Sequence, residues 1–265
     1  LSGDRRQFLR HSLCITGACI AAPVVNAGAE AQQRTGFVYS DMYTQHVYNK
    51  QHPESPDRLR SILRNIKETG LEKELINIAL LGDCTEYIKL IHSEKHLRAI
   101  QALKTTGHVA ERAVAGALAA TKAVSDRIIR NAFCALRPPG HHAFNTGREE
   151  GFCYYNNIAI AARYAQKVCG HNRILIIDWD YHHGNGTEWA FYEDPTVFYF
   201  STHTLHAYPG TGSENRTGSG KGDGYNLNVP LPPGAGDSEM IDAWEHKLLP
   251  RLNALKFNPD LIIIS

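Results

Sequence analysis

The chain has 265 residues, 43% of them hydrophobic and 21% charged, with 28 Lys and Arg against 27 Asp and Glu for a formal charge of +1. That balance offers no electrostatic footprint for nucleic acid or an anionic membrane, and the composition excludes disordered, collagen-like and multi-span membrane chains. One domain with a sizeable core is the expectation. The 14 histidines point towards chemistry, while the six cysteines form no CxxC pair and read as thiols rather than a disulfide scaffold.

The N-terminus runs Asp4-Arg5-Arg6-Gln7-Phe8-Leu9-Arg10, then an apolar stretch from Leu13 to Val25, then the small residues Ala27-Gly28-Ala29. A basic head, an apolar middle and a small-residue end describe an export signal over residues 1–31. Paired arginines before Phe-Leu resemble the twin-arginine kind, which implies a periplasmic or exported protein. The apolar stretch carries Thr16, Gly17 and Pro23 and is too short for a permanent membrane span; no later run is long enough either.

A domain is expected over 35–265. Predicted strands are Phe37–Ser40, Ala132–Leu136, Ile174–Trp179, Thr196–Ser201, Tyr225–Val229 and Asp260–Ser265. Predicted helices are Pro56–Thr69, Glu94–Leu103, Val109–Val124, Asn156–Val168 and Ser238–Leu255. Their alternation implies βαβ units and a mostly parallel sheet covered on both faces, with functional residues at the carboxyl ends of the strands.

Those strand ends are crowded with polar groups, and seven of the 14 histidines lie between positions 141 and 206. Taken as an extended segment, Asp178, Asp180 and His182 at i, i+2 and i+4 converge on one side, and two carboxylates at the rim of a buried sheet call for a cation. Mixed oxygen and nitrogen donors suit zinc, with iron or manganese as alternatives; a catalytic zinc normally takes three protein ligands, and the third is not evident. Adjacent His141 and His142, following a Pro-Pro-Gly turn, are expected to point in different directions and to serve as acid–base groups. A covalent mechanism is disfavoured: there is no Gly-x-Ser-x-Gly elbow, and Cys153 has no evident activating charge.

Four motifs occur in order: Arg137-Pro138-Pro139-Gly140-His141-His142-Ala143, Gly151-Phe152-Cys153-Tyr154-Tyr155-Asn156-Asn157, Asp178-Trp179-Asp180-Tyr181-His182-His183-Gly184-Asn185-Gly186 and Tyr208-Pro209-Gly210-Thr211-Gly212. They resemble the zinc-dependent histone deacetylase and acetylpolyamine amidohydrolase family, in its class II-like branch, and His52-Pro53-Glu54-Ser55-Pro56-Asp57-Arg58 is similar to the family's N-terminal signature. The resemblance covers the chain from about Thr35 to its end. It implies an arginase/deacetylase-like three-layer α/β/α fold and hydrolysis of an acyl amide on acetyl-lysine, an acetylpolyamine or a related small acetylated amine.

Carried over residue by residue, the resemblance makes Asp180 and His182 zinc ligands and His142 the general base. It pairs His141 with Asp178 and His142 with Asn185, the amide at Asn185 being a class II-like feature. Phe152 and Tyr208 would wall the substrate channel, the Gly151 carbonyl would accept from the substrate amide, and Asp178 with Ser201 would hold an inner potassium ion. The family's second aspartate ligand and its oxyanion tyrosine follow a strand of the kind at which this chain stops, Leu261-Ile262-Ile263-Ile264-Ser265. The expectation is therefore a domain incomplete at the C-terminus, with half a metal site and activity of the fragment in doubt. The rim segment Lys104-Thr105-Thr106-Gly107 also lacks the aspartate that usually grips substrate. Two other readings compete: a non-catalytic binding module, favoured if the gene itself lacks the downstream Asp and Tyr, and an arginase-type ureohydrolase, disfavoured by tandem His141-His142.

Overall fold

The computed structural model describes residues 34–49 and 51–265, so the expected export signal, with Cys14 and Cys19, lies outside the described residues. Among the described residues there are seven strands: β1 Thr35–Val38, β2 Leu75–Asn77, β3 Asn131–Cys134, β4 Ile174–Asp178, β5 Val197–Thr204, β6 Asn226–Leu231 and β7 Leu261–Ile264. They form one sheet in the order β2-β1-β3 and another in the order β6-β5-β4-β7. Every pairing is parallel, where a mostly parallel sheet was expected.

Period-2 alternation sends each strand's side chains to both faces, and in the second sheet both are covered. Leu175, Ile177, Phe198 and Phe200 pack under Ala243, Leu248, Leu252 and Phe257. Ile174, Ile176, Val197 and Tyr199 pack under Ala159, Ala162, Ala165 and Phe191. Helix, sheet and helix thus form three layers. The helix Asn157–Lys167 starts where the Asn156 side chain accepts the Ala159 N–H at 3.0 Å, and its alanines let it lie close on β4.

Several boundaries differ from expectation. β2 was missed because three residues carry no readable period. β4 stops at Asp178 rather than Trp179, and β5 runs on to Thr204 through Thr202 and His203, whose polarity hid a continuing ladder with β6. The single helix expected over Ser238–Leu255 is α over Asp237–Asp242, π over Ala243–Leu248 and α over Leu249–Ala254. Pro250 has no N–H to give the His246 carbonyl, which disrupts the regular ladder there. The segment Lys104–Gly107 leads into the helix Thr105–Ser125. Among the described residues Cys84, Cys134, Cys153 and Cys169 are free thiols, and no helix is long and apolar enough to cross a membrane.

Candidate active site

The site forms where β4 ends. Asp178 is fully buried, and its Oδ2 accepts from His141 Nδ1 and from the Tyr199 hydroxyl, each at 3.0 Å. Its Oδ1 accepts the Asp180 N–H at 3.3 Å, and Asp180 Oδ1 in turn accepts the His182 N–H at 2.8 Å. Each aspartate thus closes a turn onto the residue two further on, and the chain bends. This corrects the extended reading of Asp178, Asp180 and His182. Asp178 faces inwards, while the Asp180 and His182 side chains, 45% and 40% exposed, lie together with Oδ1 and Nδ1 3.4 Å apart. A Cβ at Gly184 would collide with the Asp178 carboxylate and the Tyr199 hydroxyl, so only glycine fits there.

His141 and His142 do not point apart as expected: their ring centroids are 4.0 Å apart at 44°, and both address the same space with different partners. His141 stands between the two carboxylates, with Nδ1 on Asp178 and Nε2 3.7 Å from Asp180 Oδ1. Burial alone would lower its pKa, but the Asp178 carboxylate outweighs burial and raises it, favouring imidazolium. Asp178 shows the mirror effect: burial opposes its charge, and His141 and the Tyr199 hydroxyl together hold its pKa below the ordinary carboxylate value. His142 Nδ1 meets Asn185 Oδ1 at 2.8 Å, at the start of the helix Asn185–Phe191. Burial and the neighbouring His141 charge push the His142 pKa down to about 4, so it is neutral at neutral pH. The two adjacent imidazoles are thus shifted in opposite directions, His141 up and His142 down.

Of the remaining predicted residues, Tyr208 and Gly151 meet His142, whereas Phe152 and Ser201 contact other groups. Tyr208 sets its ring edge-on to His142 at 5.0 Å and to His182 at 5.9 Å. Gly151, at φ 53°, backs directly onto the His142 ring, where any side chain would clash. Phe152 follows it and leans on His52 and Tyr48, with centroids at 4.6 and 5.7 Å. Ser201 is the register partner of Asp178 across β4 and β5 and bonds His203 Nδ1 at 3.0 Å.

The donors suit the implied groups unequally. Asp180 and His182 offer carboxylate oxygen and imidazole nitrogen side by side, which is zinc chemistry, yet no group of three possible metal donors comes together among the described residues. Asp180 and His182 are the two donors that the resemblance assigned to zinc, and the structure brings their side chains together. Asp178 receives three donors, and its register partner Ser201 lies beside it, where the resemblance assigned a potassium ion.

Two buried polar networks that the sequence reading did not assign hold these loops. Arg137, 1% exposed, is bidentate on Glu54, 3% exposed, and also donates to the Tyr43 and His46 carbonyls at 2.6 and 3.0 Å. It anchors the turn leading into His141. Beside the Tyr208 loop, Glu188 accepts from Arg216 Nε and Nη2 at 2.7 and 2.6 Å and from Asn226 and Asn228 at 3.0 and 2.7 Å.

Burial alone would raise the Glu188 pKa from its ordinary 4.5, but the His183 ring at 3.4 Å and the Asn228 and Arg216 donors hold it at about 2. A carboxylate depressed in this way contributes stability that is full above about 4.5 and lost as the pH falls towards 2. In thermal melts, the advantage of wild type over Glu188→Gln is expected to shrink across that window. An advantage independent of pH would contradict the assignment.

A parallel α/β/α domain that sets two adjacent imidazoles beside an Asp–His pair at the carboxyl end of a strand has a site suited to hydrolysis. Comparison with known proteins agrees. The histone deacetylase domain matches residues 52–265. A probable deacetylase of Archaeoglobus fulgidus is 35% identical over 247 residues, covering 87% of this chain and 68% of that protein. The chloroplastic histone deacetylase 10 of Oryza sativa subsp. japonica is 53% identical over 133 residues, which are 50% of this chain and 29% of that protein. Among solved structures, the crystal structure of the HDA15 HD domain superposes with a TM-score of 0.81 at 31% identity, over 89% of this chain and 72% of that one. The chain belongs to the histone deacetylase family.

Proposed function

We propose that this protein is a zinc-dependent deacetylase that hydrolyses an acyl amide of acetyl-lysine, an acetylpolyamine or a related small acetylated amine. The observation that carries the reading is His142, with Nδ1 tied to Asn185, set beside the His141–Asp178 pair and the Asp180–His182 pair. Bound by Asp180 and His182, zinc would supply a Lewis acid for the acyl oxygen and the attacking water. His142 moves the proton. With Asn185 Oδ1 accepting from Nδ1–H, its Nε2 lone pair takes a proton from water and returns it to the leaving amine. His141, whose pKa the Asp178 carboxylate raises, supports negative charge developing on the acyl oxygen. Tyr208 and Phe152 confine the aliphatic part of the substrate, and the Gly151 carbonyl receives its amide N–H. Potassium near Asp178 and Ser201 takes no part in these transfers.

Export through residues 1–31, a reading supported by the sequence alone, places the protein in a periplasm and favours small acetylated amines over chromatin. The metal assignment is tested by titrating zinc into the wild-type protein and into Asp180→Ala and His182→Ala. Each variant is expected to bind about a hundredfold more weakly or worse. Unchanged affinity in both would contradict it.

A further inference from the structure

Two buried histidines lie outside the site described above. His92 follows the helix Thr85–Ile88, and His96 sits in the first turn of the helix Glu94–Gln101. They are 2% and 0% exposed, and their rings stack with centroids 4.6 Å apart and 19° between planes. Burial pulls both below the ordinary imidazole value, His92 to about 3, so both are neutral at neutral pH. A neutral imidazole has one donor and one acceptor nitrogen, and here each acceptor serves a backbone N–H. His92 Nε2 accepts from Asn156 at 2.9 Å, and His96 Nδ1 accepts from Gly147 at 3.0 Å. That leaves His96 Nε2–H to donate to the Tyr154 carbonyl at 2.7 Å.

The three bonds fall at both ends of one segment, Gly147–Asn156. Between them lie Gly151, which backs onto His142, and Cys153, whose Sγ accepts the His142 N–H at 3.4 Å. The segment's own ties lie in its middle: the Glu150–Cys153 bridge, the Phe152 N–H on the Glu149 carboxylate at 2.5 Å and the Cys153 thiol on the Gly151 carbonyl at 3.4 Å. Its φ is positive at Gly147, Gly151 and Phe152, and the histidines hold its two ends. From Asn156 the connection continues through its side chain to Thr187 Oγ1 at 3.1 Å, on the helix that carries Asn185.

We propose that His92 and His96 are positioning residues that clamp Gly147–Asn156 against His142 and so set the wall of the substrate channel. Their effect on turnover rests on the deacetylase reading; the clamp itself does not. Two pairs of near-isosteric variants separate a clamp from bulk packing. In His92→Gln the amide oxygen reaches the place of Nε2, and in His92→Asn it does not. In His96→Asn the oxygen replaces Nδ1, whereas His96→Gln keeps only the donor to Tyr154.

Amide hydrogen exchange of the substrate-free protein reads the result. The Asn156 amide is expected to exchange about tenfold faster in His92→Asn than in His92→Gln, and the Gly147 amide about tenfold faster in His96→Gln than in His96→Asn. Amides of β4 and β5 should stay near wild type, and kcat/KM on an acetylated amine should drop only in the two loosened variants. Equal exchange within each pair would overturn the proposal. So would lost protection throughout β4 and β5 in all four variants, because the histidines would then support the whole domain. The expected exchange pattern in a protein that turns over no acylated amine would keep the clamp and sink the deacetylase reading.

Discussion

Replacing His142 with alanine is expected to lower hydrolysis of an acetylated lysine peptide by about 10²–10⁴-fold, the usual worth of a positioned general base. The loss should fall on kcat and on kcat/KM together, because His142 moves a proton in the transition state and does not hold the aliphatic chain. Asn185→Leu should cost less, since it removes the partner that orients Nδ1 but leaves the imidazole in place. The fold should survive both changes, as neither residue belongs to the clusters that pack the sheets. A His142→Ala protein that keeps turnover within about threefold of wild type would remove His142 from the chemistry.

The second large effect concerns stability. Glu54→Ala leaves the Arg137 guanidinium buried without its carboxylate, and breaking a buried pair from one side costs about 3–5 kcal/mol. Removing both charges, as in Glu54→Met with Arg137→Met, should recover much of that loss, because no orphaned charge remains. Denaturant melts of the two single variants and the double variant measure this directly. Single variants that cost less than about 1 kcal/mol would mean that water reaches the pair. The penalty should also reach the site, since Arg137 fixes the His-Pro-Glu segment and the turn four residues before His141.

Much of this arrangement is legible in the residues, for identifiable reasons. β4 and β5 announce themselves as apolar runs ending in charged or hydroxylated residues, and His141, His142, Asp180, His182 and Asn185 stand in ordered motifs that few other folds share. The bend after Asp178 was misread because a period-2 projection assumes that the strand continues. An Asp-x-Asp repeat is as much a turn signal as a strand rim, and here each carboxylate captures the N–H two residues on. Tyr199 went unassigned because an aromatic residue within an apolar strand reads as core, and nothing local shows that its hydroxyl completes Asp178. Apart from His183, the Glu188 network is assembled from residues 28 to 40 positions away, so no local pattern reveals it. Glu54 and Arg137 stand inside recognisable motifs, but only the folded chain brings them together across 83 positions.

The most direct test of the central claim is acetate release. The protein, loaded with zinc, is offered an acetyl-lysine peptide and an acetylated polyamine side by side. The account predicts acetate and free amine in equal amounts from at least one of them, lost on chelation and in His142→Ala. Zinc-loaded, folded protein that releases no acetate from either would contradict it.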